Sequence, residues 1–495
     1  MKKFIVLFIF LFYSLASAQI SVTPLGAAGS ISGSSFLIES GSKSVLIDCG
    51  LFYDNDGDNF TVAVKAANAN ALILTHAHLD HIGRVPLLIH SGFKGSIYST
   101  TATKEFALES FRNGSGFELI KRKWAWSKEN SKSKKAVLHW IDACIDNVKE
   151  VSKIDKEMTI AQARKQYALP FSLCNICLNI ESENIEKMFV TVKYNESVKL
   201  FNNFSFHLID AAHIPGSAGI FFNIEDKKIV FSGDLGSGYS RFTGKSAPAD
   251  KADFVFMEGT NAKDFSANIA DSSYQSFHND LKKAADGGKL IWISALSFNR
   301  MQKVLYELKI MQDNSLISKQ IDIYSISPTA NRISRLYEKQ ISGGARDWFI
   351  EDVYKQKTIL PQNLHFSYPK DFSKQMILLS ASGDEKSTQR FIKRFKKRGS
   401  VLFMTVNYMD FQSAAAKLAR DNDLKEAIEV KKYAVFSDHP DAFELLRWLS
   451  NQDKETKIYL IHYNEEEFKE ISKFFASKGF EIRQTKISER IIIKQ

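Results

Sequence analysis

From about Ile20 to Asp48, short runs of strand-forming residues such as Gly33 to Ile38 and Ser44 to Ile47 alternate with clusters of Gly and Ser. That spacing predicts antiparallel hairpin strands. Ala71-Leu72-Ile73-Leu74-Thr75 is a continuous apolar run of strand length that ends directly on a histidine-rich loop. Similar runs at Phe204 to Ile209, Ile220 to Ile224, Lys228 to Phe231 and Phe254 to Met257 are closed by turn residues or by acidic and histidine residues. Together they predict a β-rich layer with helices outside it.

After about Ala270 the pattern changes. Amphipathic helices near 273 to 285 and 299 to 312 alternate with strands at Leu290 to Ile293 and Ile321 to Ser325, then at Met376 to Leu379 and Val401 to Met404. Alternating strands and helices predict a parallel α/β unit. Near residue 430 the chain resumes with a strand from Tyr433 to Phe436, a helix from about Ala442 to Leu449, a strand from Lys457 to Ile461 and a last helix. The division expected is a first domain over 19–270, an inserted unit over 271–429 and a return to the first domain over 430–495. Within the first part, residues 111 to 196 read as a polar, helix-patterned insertion. Its basic runs, Lys121 to Trp126 and Lys132 to Lys135, are patterned either as a solvated face or as a grip on a phosphate backbone.

At 495 residues the chain is too long for one ordinary core, and 44% apolar content excludes a disordered or fibrous class. Lys2 and Lys3, an apolar run from Phe4 to about Leu15 and the small residues Ala16, Ser17 and Ala18 predict a cleaved export leader over 1–18. The run is shorter than the ~20 residues that span a bilayer. A periplasmic or secreted protein without stable membrane insertion is therefore expected. The net charge of +10 favours anionic partners. Four cysteines are few for an exported chain of this size, so the fold must rest on its core. Cys174 and Cys177 form a lone C-x-x-C, available for a disulfide with Cys144, and Cys49 reads as a buried thiol.

The strongest chemical signal is Thr75-His76-Ala77-His78-Leu79-Asp80-His81, three imidazoles and a carboxylate on one loop after a strand. That ligand set suits zinc. Asp210-Ala211-Ala212-His213-Ile214-Pro215-Gly216 places a histidine just past a strand, and Ser232-Gly233-Asp234-Leu235-Gly236 places an aspartate in a glycine-flanked turn. With the loop they supply enough donors for two adjacent metals with positions left for solvent and substrate.

The loop, both turns and the preceding Asp48 resemble the ordered motifs of the metallo-β-lactamase superfamily, and the later chain resembles its β-CASP branch, which includes ribonuclease J, Artemis and the polyadenylation endonuclease. Glu258 in Phe256-Met257-Glu258-Gly259-Thr260, His439 in Ser437-Asp438-His439-Pro440-Asp441 and His462 in Tyr459-Leu460-Ile461-His462 match that branch's acidic residue and two histidines. The resemblance implies an α/β fold, an αββα sandwich with an inserted parallel α/β lid. It further implies two Zn2+, one held by His76, His78 and His213 and the other by Asp80, His81 and His462, with Asp234 bridging and Asp48 orienting a ligand or the reactive water. Two such cations make hydroxide available near neutral pH and polarise a phosphoryl oxygen. Asp80, His439 and Glu258 form the implied catalytic set, with His439 as general acid and Glu258 orienting it.

In the lid, Arg300 and the turn Ser380-Ala381-Ser382-Gly383 match segments that contact substrate, the turn by holding a phosphate. Asn299 stands where the family normally has Gly, Asp384 where it often has Met, Tyr463 and Asn464 replace Gly-Glu, and the glycine- and arginine-bearing segment is replaced around Asn407 to Ala416. The expected activity is hydrolysis of a phosphodiester in RNA or single-stranded DNA. Two other readings stay open at this point: a hydrolase of a small ester, lactone, amide or phosphoester, and a nucleic-acid-binding protein with a vestigial metal site.

Overall fold

The structure is a computed structural model that describes residues 19–53, 64–112, 185–238, 240–265, 270–343, 348–381, 400–405 and 428–494. The leader, Cys144, Cys174, Cys177, the basic runs near 121 to 135, Ser382, Gly383, Asp384 and the segment 407 to 416 lie outside the described residues.

Two seven-stranded sheets face each other. The first runs in spatial order Ile491–Lys494, Ile20–Gly26, Ser35–Ser40, Lys43–Ile47, Ala71–Ile73, Ser96–Ser99 and Phe189–Thr191. The second runs Ile482–Gln484, Lys457–Ile461, Phe254–Glu258, Lys227–Phe231, Ala218–Ile224, Phe204–Asp210 and Val198–Phe201. In each, antiparallel hairpins give way to parallel strands.

Alternation along the strands fills the space between the sheets. Phe36, Ile38, Val45 and Ile47 from one side meet Phe206, Phe222, Phe231 and Phe256 from the other. The rings of Phe231 and Phe256 stack at 4.4 Å, and Phe36 lies 5.7 Å from Phe231. The outer face of the first sheet, with Leu37, Leu46 and Leu72, packs on Val85, Leu88 and Phe106. That of the second, with Val230, Val255 and Met257, packs on Leu445, Trp448 and Phe475. The result is the four-layer αββα sandwich.

The inserted unit is a six-stranded, wholly parallel sheet in the order Leu364–His365, Asp322–Ser325, Met376–Ala381, Leu290–Ala295, Ser400–Met404 and Ile428–Lys432. Its central strands carry apolar side chains on both faces, and the helices Ala270–Asp286 and Arg300–Asp313 pack on one of them. Tyr306, Tyr337, Trp348 and Phe349 continue this unit into the helical layer of the sandwich, joining the cluster that contains Phe106.

Three details differ from the sequence pattern. The lid's edge strand is Ile428–Lys432, and Ala434–Phe436 is a 3-10 turn rather than a strand. Tyr433, Val435 and Phe436 pack in the lid core, so the chain leaves the lid after Phe436, beyond the expected 429. Phe189–Thr191, inside the region read as an insertion, pairs in parallel with Ser96–Ser99, while Val192 enters the sandwich core. In both places a short segment takes its state from tertiary pairing rather than from its own periodicity.

Candidate metal centre

Six strands that point the same way end on one rim of the sandwich. Asp48 follows Lys43–Ile47, His76 follows Ala71–Ile73, His213 follows Phe204–Asp210 and Asp234 follows Lys227–Phe231. Glu258 ends its strand, and His462 follows the neighbouring Lys457–Ile461 in register with it. The two sheets are joined at this rim by the Ala218 amide, which donates to the Thr75 carbonyl at 2.8 Å. Asp48, Ala212 and His462 all adopt positive φ, 56°, 54° and 51°. Such backbone is costly for residues with a Cβ and tends to be kept where it aims a functional group. Gly50 and Gly236 permit the tight crossings beside it: a Cβ would fall 1.5 Å from the Asp80 carbonyl oxygen in the first case and 1.9 Å from that of Ala212 in the second.

The geometry gathers two groups of potential ligands, His76, His78, His213 and Asp234 in one and Asp80, His81, Asp234 and His462 in the other, with donor atoms of each group within 4.8 Å of one another. Asp234 is common to both. Its Oδ2 lies 3.7 Å from His76 Nε2 and 3.8 Å from His213 Nε2, and its Oδ1 lies 3.2 Å from His81 Nε2. His462 Nε2 is 3.3 Å from Asp80 Oδ2.

The hydrogen bonds around the rings decide what faces inward. Asp48 accepts from the Thr75 amide at 2.8 Å, from the Thr75 hydroxyl at 2.7 Å and from His81 Nδ1 at 2.7 Å. With its own proton given to Asp48, the Thr75 hydroxyl is left to accept from His76 Nδ1, 3.1 Å away. His213 Nδ1 donates to the Asp438 carbonyl at 3.0 Å. With Nδ1 protonated, His76 and His213 each present an Nε2 lone pair to the interior. His78 Nδ1 faces both of these, His76 Nε2 at 3.1 Å and His213 Nε2 at 3.2 Å, and can donate to only one. His81 Nε2 and Asp234 Oδ1 are buried 3.2 Å apart as an ion pair outside hydrogen-bond geometry.

Converging lone pairs and polar atoms outside hydrogen-bond geometry are costly in a dry site unless a cation satisfies them. The residues present therefore fit a divalent metal. Burial presses His78 down to about 3 and His213 to about 4, and holds His76 well below the usual imidazole range, so these rings are in the neutral form a metal requires. Burial also opposes charge on His81, but Asp234 and Asp48 outweigh it and hold that ring well above its ordinary value.

Beside this cage, His439 Nδ1 donates to Glu258, 3.1 Å from each carboxylate oxygen, while its Nε2 lies 3.9 Å from Asp234 Oδ2. Glu258 is fixed in turn by the amides of Leu235 at 2.7 Å and Thr260 at 3.2 Å. His439 retains 16% side-chain exposure where Asp234 has 2%, so it is the more open to a substrate.

Residues 28–148 match the family described as the metallo-beta-lactamase superfamily. A ribonuclease of Thermus thermophilus is 24% identical over 95% of this chain and 99% of its own length. The transcription termination factor FttA of Methanosarcina mazei is 26% identical over 59% of this chain and 39% of its own, and cleavage and polyadenylation specificity factor 73 of Drosophila melanogaster is 22% identical over 66% and 41%. The chain thus spans less than half of the last two. Residues 28–148 thus match the metallo-β-lactamase superfamily, and over a longer stretch the chain is similar to nucleases of RNA processing.

Of the residues matched to substrate contact in the lid, Ser380 and Arg300 are among the described residues, and both are otherwise engaged. The Ser380 hydroxyl accepts from Trp292 Nε1 at 2.8 Å. Arg300 is 6% exposed, donates to the Thr405 carbonyl at 3.0 Å and pairs with Asp438 at 3.7 Å. Several functional partners went unread in the sequence. The Tyr53 hydroxyl donates to Asp80 Oδ1 at 3.0 Å, and the Thr260 hydroxyl lies 2.8 Å from His462 Nδ1. A tyrosine or threonine in isolation carries no such signal, although Thr75, directly before the histidine loop, could have been found by its place. Cys49 is a buried thiol, pushed up to about 11 by burial.

Proposed function

We propose that this chain is an exported phosphodiesterase that uses two zinc ions to hydrolyse RNA or single-stranded DNA. The observation that carries the reading is the sharing of Asp234 between two four-residue ligand groups, with the His439–Glu258 pair beside them. His76, His78, His213 and Asp234 would hold one ion, and Asp80, His81, His462 and Asp234 the other. Such ions supply, when bound, a water that ionises near neutral pH and polarisation of a phosphoryl oxygen.

The chain's own residues do the rest. Asp48 fixes His81 directly and His76 through Thr75, so both rings present Nε2 to the centre. Glu258 holds His439 by Nδ1 and favours its charged form, which keeps a proton on Nε2. Burial alone would lower the affinity of His439 for that proton, but the Glu258 carboxylate overrides it and raises the group to about 9. His439 can therefore donate to the departing 3′ oxygen, leaving a 5′-phosphate and a 3′-hydroxyl. The preference for nucleic acid draws on the similarity to a ribonuclease over nearly the whole chain and on the +10 net charge. The leader over 1–18 would direct the enzyme to the periplasm or the medium, and among the described residues no helix is long and apolar enough to cross a membrane.

The test is digestion of 5′-labelled RNA and DNA by the wild type and His439→Ala, with zinc measured in both. Loss of about 10²–10⁴-fold in rate at unchanged zinc content is expected for a lost general acid. Full activity in the variant would remove His439 from the mechanism.

A further inference from the structure

His213 is oriented by a residue that the lid holds. Its Nδ1 donates to the main-chain oxygen of Asp438 at 3.0 Å, and the Ser237 amide donates to the same oxygen at 3.0 Å. The Asp438 side chain points the other way, into the base of the helix Arg300–Asp313. There its Oδ1 accepts from Asn299 Nδ2 at 2.7 Å and from Lys303 Nζ, and its Oδ2 lies 3.7 Å from Arg300 Nε. Asn299, at φ 63°, also donates to the His213 carbonyl at 3.3 Å and accepts from the Tyr337 hydroxyl at 2.9 Å.

All of these groups are buried: Asn299 is 0% exposed, Lys303 3%, Arg300 6%, Asp438 3% and His213 0%. Two cations and one carboxylate in a dry interface are a poor source of stability, because the desolvation cost rivals the attraction and apolar residues would hold the lid as well. Such a cluster does fix geometry, since few arrangements satisfy all of its donors. Asp438 also directly precedes His439, so the clamp sets the position of the loop carrying that residue.

We propose that Asp438, clamped by Asn299, Arg300 and Lys303, is a positioning residue through which the lid sets the orientation of His213 in one of the two metal groups. The inference rests on the metal-centre reading above. It makes the lid part of the metal centre, and it makes the two metal groups unequal: the one containing His213 depends on the lid clamp, and the one containing His462 does not.

The test is stepwise zinc or cobalt(II) binding to the metal-stripped full chain, with His213→Ala and His462→Ala used to assign the two steps. Asp438→Asn and Lys303→Met should weaken the step lost in His213→Ala about 10–100-fold, the usual effect of removing a group that orients a ligand, and leave the other step unchanged. Lys303→Arg should restore binding. The cobalt d–d spectrum of the affected step should shift in Asp438→Asn. Where an unpaired buried charge keeps Asp438→Asn from folding, Lys303→Met, which leaves Arg300 paired with Asp438, carries the test and should show the same selective weakening. Equal weakening of both steps, or of neither, in these variants would overturn the inference while leaving the two-metal reading intact. A wild type that takes up no metal would overturn both.

Discussion

Glu258 and His439, 181 residues apart in sequence, meet with the imidazole Nδ1 3.1 Å from both carboxylate oxygens. Burial works against a charged ring at this position, and Glu258 more than offsets it. A histidine raised above its ordinary value is protonated below the raised value and loses its proton as pH rises through it. The rate should therefore show a descending alkaline limb set by His439. In Glu258→Gln that limb should move to lower pH, toward the ordinary imidazole range, with zinc content unchanged. The measurement is kcat against pH on labelled RNA, and a limb in the same place in both proteins would remove Glu258 from this role.

Thr75 bridges Asp48 to the metal groups through one hydroxyl, which lies 2.7 Å from Asp48, 3.1 Å from His76 Nδ1 and 3.3 Å from His81 Nδ1. Thr75→Val keeps the shape and removes that link. Zinc affinity measured by chelator competition should fall by about 10-fold, the low end of what removing a ligand's partner costs. A valine variant that binds zinc as tightly as wild type would show that the main-chain contact from Thr75 to Asp48 suffices.

Phe231 joins both sheets, with Phe36, Phe222 and Phe256 around it and 1% exposure. Phe231→Ala should destabilise the sandwich by about 3–5 kcal/mol. Denaturant unfolding followed by circular dichroism checks it. A loss well under that range would mean that the neighbouring rings collapse into the space.

What the sequence made legible follows from how each feature is written in the chain. His76, His78, Asp80 and His81 stand within six positions on one loop, so their convergence needed no tertiary information. The hairpins and the parallel lid strands were visible because apolar periodicity is local. By contrast, Lys303 and Asp438 are 135 residues apart, and a lysine in a helix reads as solvent-facing; only the packing of the lid on the rim buries it. Tyr53 and Thr260 escaped for the same reason, since a hydroxyl becomes a positioning group only through its neighbour in space. The strand Phe189–Thr191 is three residues long and not buried, so it carries no alternation to recognise.

The most direct measurement is the metal content of the purified full chain and of Asp234→Ala after equilibration with zinc. Because Asp234 stands in both ligand groups, the wild type should hold two zinc ions per chain and the variant should fall below one, with nuclease activity lost alongside. A wild type that holds no zinc, or an Asp234→Ala variant that still holds two, would contradict the shared centre on which the account depends.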